Sequence, residues 1–114
     1  MKKIEAIIRE EQFERMKKKL KEIEVNGVTI TQVMGFGIQQ GWSEVVRGSS
    51  VEMNLLPNIK LEIVVSTDEW AKKTIDAIKE VCFTGKPGDG KIFVWTIEEA
   101  IRISTGETGA AALN

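Results

Sequence analysis

The segment Thr84-Gly85-Lys86-Pro87-Gly88-Asp89-Gly90-Lys91-Ile92-Phe93-Val94 joins a dense cluster of turn residues directly to a run of β-branched and aromatic residues. The cluster indicates a turn and the run indicates a strand. Gly85 to Lys91 formally matches G-x-x-x-x-G-K, but a P-loop needs Ser or Thr next and then a helix. The P-loop interpretation therefore fails. Two alternatives stay open, a plain tight turn or a row of amides that binds an anion beside Lys91.

The residues before this turn predict a helix and, before the helix, a strand. Thr67 or Asp68 can cap the helix, and its inner side carries Trp70, Thr74, Ile75, Ile78, Val81 and Cys82. The preceding strand resumes near Ile59 and runs to Val65, with Pro57 suited to its start because proline cannot donate to a central ladder.

The first third of the chain predicts a strand, a helix and a second strand. Loose alternation over Lys3–Arg9 indicates the first strand. From Glu11 to Glu24 apolar residues recur at spacings of 3, 4 and 3, which is typical of one helical stripe. Asn26-Gly27 ends this helix, and Val28–Val33 forms the next strand.

The resulting order is β-α-β-β-α-β, with the strand after the glycine-rich turn as the fourth. This order predicts an α+β fold of the ferredoxin-like, split-βαβ type, a four-stranded antiparallel sheet with two helices on one face. The other face also carries apolar side chains, and no third long helix covers it, so we expect oligomerisation. Thr96-Ile97-Glu98-Glu99 has a capping-box pattern that predicts a short helical turn, and the small, polar end over 107–114 predicts a flexible tail.

The connection from the second strand to the third, roughly Gly35 to Leu56, is too long for an ordinary loop. Loops beyond about 12–15 residues in compact domains are usually functional or disordered. This one holds Trp42, Val45, Val46, Val51, Met53 and Leu55. Those apolar residues favour a segment that docks on a partner.

Composition limits the classes of function. A chain of 114 residues with 42% hydrophobic residues predicts one domain. Its net charge of −1 argues against nucleic-acid binding, and no apolar run is long enough for membrane insertion. The single cysteine, Cys82, fits a reducing cytoplasm. The absence of histidine removes the commonest general base and the His-based metal sites, which favours a binding protein over an enzyme.

Several motifs together give the chain a family resemblance. It resembles the PII nitrogen-regulatory signalling proteins, and the matching motifs follow in the same order along nearly the whole chain. They are Lys2-Lys3-Ile4-Glu5-Ala6-Ile7-Ile8-Arg9, Val28-Thr29-Ile30-Thr31, Gly35-Phe36-Gly37-x-Gln39, Leu56-Pro57, the turn and strand quoted above, Ile101-Arg102-Ile103 and Thr105-Gly106-Glu107. The resemblance implies one PII-like domain over 1–114 that forms a homotrimer. It implies ATP and ADP as competing effectors in clefts between subunits, and a mobile T-loop over about 37–55.

The resemblance also assigns roles by position. Thr29 and Val64 would contact the adenine side. The phosphates would be held by Gly37, Ile38, Gln39, Gly88, Asp89, Gly90 and Lys91, with Arg102 from the neighbouring chain. Gln39 would help coordinate Mg²⁺ on the nucleotide, and 2-oxoglutarate. Arg47 matches the T-loop arginine that enters an ammonium channel, and Ser49 matches a serine that some cyanobacterial relatives phosphorylate.

Departures from the family pattern keep a second hypothesis open. Ile38 stands where the family usually has an arginine on phosphate, Ser104 replaces a second basic residue, and Asn58 replaces a lysine that helps hold 2-oxoglutarate. Val51 replaces the tyrosine that is uridylylated in many members.

The first hypothesis is a non-catalytic, cytoplasmic PII sensor that controls an ammonium transporter and reaches the membrane only through it. The alternative is a PII-like paralogue, with a preference for ADP, AMP or another nucleotide and a weak or absent 2-oxoglutarate response, that controls another transporter or an enzyme. A nucleotide-hydrolysing enzyme is a third class, which the lack of histidine and of a P-loop opposes.

Overall fold

The computed structural model describes residues 1–37 and 54–113. Two 3-10 helices, Glu10–Gln12 and Gly109–Leu113, accompany the main elements. Those main elements are β1 (Lys2–Arg9), α1 (Phe13–Glu22), β2 (Thr29–Gly37), β3 (Asn54–Val65), α2 (Asp68–Cys82) and β4 (Gly90–Thr96).

The four strands form one antiparallel sheet in the order β2-β3-β1-β4. This order confirms the ferredoxin-like α+β fold predicted from the sequence. The side chains that the sheet buries alternate along its two central strands, and they pair in register as Ile4 with Ile63, Ala6 with Leu61, and Ile8 with Ile59. Met16 and Leu20 of α1 and Ile78 of α2 join the same buried cluster, so both helices cover one face.

The predicted helix over Glu11–Glu24 is shorter than expected at both ends. A 3-10 turn precedes Phe13, and the helix stops at Glu22. Glu24 takes a left-handed conformation with φ 64°, and the Val25 amide donates to the Leu20 carbonyl at 2.9 Å. This pair of features closes the helix as a Schellman-type cap does, two residues before the Asn26-Gly27 signal.

Strands β2 and β3 extend well into the connection predicted as a loop. They pair from Thr29 with Glu62 to Gly37 with Asn54. Pro57 lies inside β3, not at its start, and it pairs with Met34. The sheet tolerates proline there because β1 ends its pairing with β3 at Asn58, and no other strand of the described residues pairs with that side of β3.

The helical turn predicted from Thr96-Ile97-Glu98-Glu99 is wrong. Thr96 is the last residue of β4 and pairs with Lys2, whose Nζ donates to the Thr96 hydroxyl at 3.0 Å. The hydroxyl is therefore engaged across the sheet and caps no helix. Further on, Ile101 forms an isolated bridge with Thr108, and the 3-10 helix Gly109–Leu113 follows. The flexibility of the 107–114 tail stays a prediction.

The sheet face opposite the helices carries both apolar and charged side chains. Phe93 and Trp95 of β4 are exposed. In the middle of the same face Lys3 and Glu62 form an ion pair at 2.7 Å, which holds the pKa of the Glu62 carboxyl below its ordinary value. Part of this face is therefore apolar, as predicted, and its centre is an ion pair.

Candidate nucleotide-binding site

The glycine-rich turn between α2 and β4 is braced by one carboxylate. Asp89 Oδ2 accepts from the amides of Thr84 at 2.7 Å and Gly85 at 3.0 Å. The Thr84 hydroxyl donates to Asp89 Oδ1 and accepts from the Lys86 amide at 3.2 Å. The Asp89 side chain, predicted as a nucleotide contact, thus folds back into its own turn.

The brace depends on the charge of Asp89. The Thr84 hydroxyl and amide are the main groups that hold the pKa of this carboxyl below its ordinary value, and the Gly85 amide and the Arg9 guanidinium add to the effect. All of these groups favour the ionised form. The turn is therefore fully braced at neutral pH.

Gly90 begins β4 at a point where its backbone lies directly against the Ile7 carbonyl of β1. Its φ is 113°, and a Cβ at this position would collide with the Ile7 carbonyl oxygen. Glycine is the residue that fits both conditions. Lys91 then pairs with Ile7 and is exposed at the outer edge of the sheet.

Arg9, for which the sequence predicted no role, reaches the same turn from the end of β1. Its Nε donates to the Gly88 carbonyl at 2.9 Å and its Nη2 to the Pro87 carbonyl at 2.7 Å. Nη2 also lies 3.6 Å from Asp89 Oδ1. Arg9 ends a predicted strand and also the first run of the family resemblance, and neither signal indicates contacts 78 and 79 residues away along the chain.

A cavity of about 490 Å³ opens beside the turn, between the end of α2 and the strands β1 and β4. Asp89, Gly90 and Lys91 line one side of it, and Ile78, Cys82 and Phe83 belong to the α2 side. Burial raises the pKa of the Cys82 thiol, so this cysteine is an inert part of the wall.

The residues predicted for the adenine side lie far from the turn within one chain. Thr29 opens β2, at one edge of the sheet, whereas Lys91 lies in β4 at the other edge. Three strand spacings separate these edges, about 14 Å. Val64 lies in β3, where it pairs with Lys3. One subunit therefore does not bring Thr29 and Lys91 together.

Arg102 is also separated from the turn along the chain. The chain reaches it only after β4 has run the length of the sheet edge from Gly90 to Thr96. Its Nε lies 3.6 Å from Glu107 Oε1. Its backbone amide donates to the Glu107 carbonyl, and its carbonyl accepts from the Gly106 amide, each at 2.8 Å. Within residues 1–37 and 54–113 the terminal guanidinium nitrogens form no ion pair. Backbone hydrogen bonds thus hold the loop at Arg102, whereas Nε is buried without a hydrogen-bond partner among the described residues and the two terminal nitrogens are available.

Gly37 and Asn58 lie toward the end of the β2–β3 pair. Gly37 pairs with Asn54 at the last position of β2. A Cβ on Gly35 would lie 2.9 Å from Asn58 Nδ2, so the Asn58 side chain covers that glycine. Ile38, Gln39, Arg47 and Ser49 lie outside the described residues.

The described residues have neither a metal-binding cluster nor a membrane-spanning helix. They contain no group of three carboxylate or thiol side chains placed to hold a metal ion. None of their helices has the length and apolar character needed to cross a membrane.

Comparisons with known proteins agree with one another. The model of the family described as nitrogen regulatory protein P-II matches residues 1–107. The chain is 48% identical over 113 residues to the nitrogen regulatory protein P-II of Bradyrhizobium diazoefficiens and 47% identical to that of Rhodospirillum rubrum, in each case across 99% of this chain and 100% of the relative.

Solved structures give the same result. B. subtilis GlnK superposes with a TM-score of 0.79 at 40% identity, covering 97% of this chain and 96% of that one. The B. subtilis GlnK–ATP complex gives a TM-score of 0.80 at 37% identity, covering 97% and 94%. The chain belongs to the nitrogen regulatory protein P-II family.

Proposed function

We propose that this protein is a non-catalytic signalling protein that binds ATP or ADP in clefts between the subunits of a homotrimer. It acts on its target through the segment 37–55. The observation that carries the proposal is the position of Thr29 and Lys91 on opposite edges of one sheet. A site that uses both residues forms only where the β2 edge of one copy adjoins the β4 edge of another.

A closed ring supplies that contact at every subunit. Contact between two different edges of identical chains is heterologous, and it closes when rotation returns to the first copy. The exposed Phe93 and Trp95 on the open face of the sheet favour burial in such an assembly. The family resemblance gives the number of copies as three.

The turn at Gly88–Lys91 and the fork of Arg102 supply the chemistry for phosphate. Amides in a glycine turn and a nearby lysine attract anions, and arginine pairs with phosphate oxygens through two nitrogens. The similarity to the B. subtilis GlnK–ATP complex supports an adenine nucleotide as the ligand. In this proposal Gln39 adds an oxygen to the Mg²⁺ that the nucleotide carries.

Light scattering and calorimetry test this function. We expect a trimer in solution and micromolar or tighter binding of ATP and ADP, up to three molecules per trimer. AMP, with a single phosphate for the turn, should bind more weakly. A monomer, or micromolar affinity for none of the three nucleotides, would overturn the proposal.

The proposed target is an ammonium transporter, contacted by Arg47 and the apolar residues near it, which places the protein in the cytoplasm and at the membrane through its target. Co-sedimentation with transporter-containing membranes, with ADP or with ATP, should show binding that depends on the nucleotide. Arg47→Ala should abolish it, and Arg15→Ala on α1 should not. Equal sedimentation of the two variants contradicts this target site.

A second, narrower candidate function concerns the response to 2-oxoglutarate. Asn58 carries no charge, and its side chain lies against Gly35. An uncharged amide attracts a dicarboxylate less than a lysine does, which favours a protein that binds nucleotide without a 2-oxoglutarate response. Calorimetry with ATP, Mg²⁺ and 2-oxoglutarate should show no 2-oxoglutarate binding to the wild type and a gain in Asn58→Lys. Micromolar binding to the wild type would exclude this candidate.

A further inference from the structure

One guanidinium group holds two consecutive peptide carbonyls of the glycine-rich turn. Arg9 Nε donates to Gly88 O at 2.9 Å, and Nη2 donates to Pro87 O at 2.7 Å. The two nitrogens belong to one rigid planar group. The directions of two adjacent peptide planes are therefore set by a single side chain from β1.

These directions determine where the amides of the turn point. In a trans peptide the C=O and N–H groups of one plane point in opposite directions. With the Pro87 and Gly88 carbonyls turned toward Arg9, the N–H groups of Gly88 and Asp89 point away from it. Across residues 1–37 and 54–113, neither amide donates a hydrogen bond of good geometry. Two adjacent free donors are an anion-binding arrangement.

The local charge also depends on Arg9. The Asp89 carboxylate braces the turn from within, and its negative charge would repel an approaching phosphate. Arg9 Nη2 lies 3.6 Å from Asp89 Oδ1, and these charges offset each other. Gly88 has φ 97°, and a Cβ there would lie 3.0 Å from Arg9 Nη2, so glycine makes room for the guanidinium.

We propose that Arg9 is a positioning residue for phosphate binding, which aims the Gly88 and Asp89 amides at the nucleotide without touching it. The inference rests on the proposed function, because it needs a nucleotide at this turn. A lysine at position 9 keeps the charge but has one nitrogen, so it can hold the carbonyls less rigidly.

The test compares Arg9→Ala and Arg9→Lys with Arg15→Ala, a control that removes an arginine from α1. We expect the Kd for ATP to rise about tenfold in Arg9→Ala and about threefold in Arg9→Lys, and to stay unchanged in the control. On adding ATP, the amide NMR signals of Gly88 and Asp89 should shift in the wild type, and by much less in Arg9→Ala. Melting temperatures monitor folding separately.

The outcomes separate the two proposals. No ATP binding by the wild type overturns the proposed function and this inference together. Wild-type binding with an unchanged Kd in Arg9→Ala overturns this inference alone, as does a weakened Kd with undiminished shifts of the two amides. Should Arg9→Ala fail to fold, a wild-type Kd in Arg9→Lys overturns it equally.

Discussion

Gly90 is the residue at which the turn, the first strand and the edge strand meet. Gly90→Ala adds a Cβ that collides with the Ile7 carbonyl, at a φ of 113° that side chains rarely adopt. We expect the free energy of unfolding to fall by about 3 kcal/mol, because both the strain and the lost β1–β4 pairing act against folding. Denaturant titration at fixed protein concentration measures the change.

Gly27→Ala is the matched control for this substitution. No atom lies within 4 Å of a Cβ built there, and its φ is not in the left-handed range. Its free energy of unfolding should stay within about 0.5 kcal/mol of the wild type. Similar values for the two variants would show that the close approach at Gly90 does not constrain the fold.

Asp89 gives the turn a dependence on pH. Because its folded pKa is lowered, the brace stabilises the turn at pH above the ordinary value of 3.8, and this stabilisation is lost as pH falls through the lowered pKa. In Asp89→Asn we expect the exchange protection of the Thr84 and Gly85 amides to drop severalfold at neutral pH. Amide hydrogen exchange followed by NMR measures it.

Asp76→Asn provides the comparison for this prediction. Asp76 also has a lowered pKa, but its partner is Lys72 on the same helix. The variant should leave the Thr84 and Gly85 amides protected. Protection that survives in Asp89→Asn would mean that the carboxylate does not brace the turn.

At the scale of single residues, the sequence correctly predicted the features that depend only on neighbouring residues, such as the glycine-rich turn. Gly85, Gly88 and Gly90 indicated a turn before a strand, and all three have positive φ. Arg9 was missed because its contacts join residues 78 and 79 positions apart. The inward direction of Asp89 was missed because a motif gives the identity of a side chain but not its partners.

At the scale of the elements, α2 begins at a predicted cap. The Thr67 hydroxyl accepts from the Trp70 amide at 3.1 Å, and its side chain is exposed. Thr67→Ala should lower the free energy of unfolding by about 1 kcal/mol, because one helix donor loses its partner. Thermal or denaturant unfolding measures this. Thr67→Ser keeps the oxygen and should keep the stability, and a loss equal to that of alanine would contradict the capping role.

Two of the errors in the sequence-based prediction depend on pairing between distant segments. Thr96 resembles a helix cap, but strand pairing places it opposite Lys2. Pro57 resembles a strand start, yet β3 continues through it because that part of β3 needs a partner on one side only. In both cases the sheet register overrode the local signal of the residue.

At the scale of the whole molecule, the sequence predicted a nucleotide site whose residues do not come together within one chain. The resemblance placed Thr29, Lys91 and Arg102 in one nucleotide site, and the fold puts Thr29 and Lys91 on opposite edges of a sheet. Periodicity and motifs describe one chain and do not contain the relation between copies. The proposed function therefore requires that neighbouring subunits complete each other's sites.

Subunit complementation tests that claim most directly. Lys91→Ala and Arg102→Ala trimers should each bind ATP weakly, because every site lacks one cation. After the two variants are unfolded together and refolded as mixed trimers, about a quarter of the sites should combine an intact Lys91 with a neighbour's intact Arg102. Calorimetry should then detect that fraction of sites with the wild-type Kd. A mixture that binds ATP no better than its two parents would contradict a site shared between subunits.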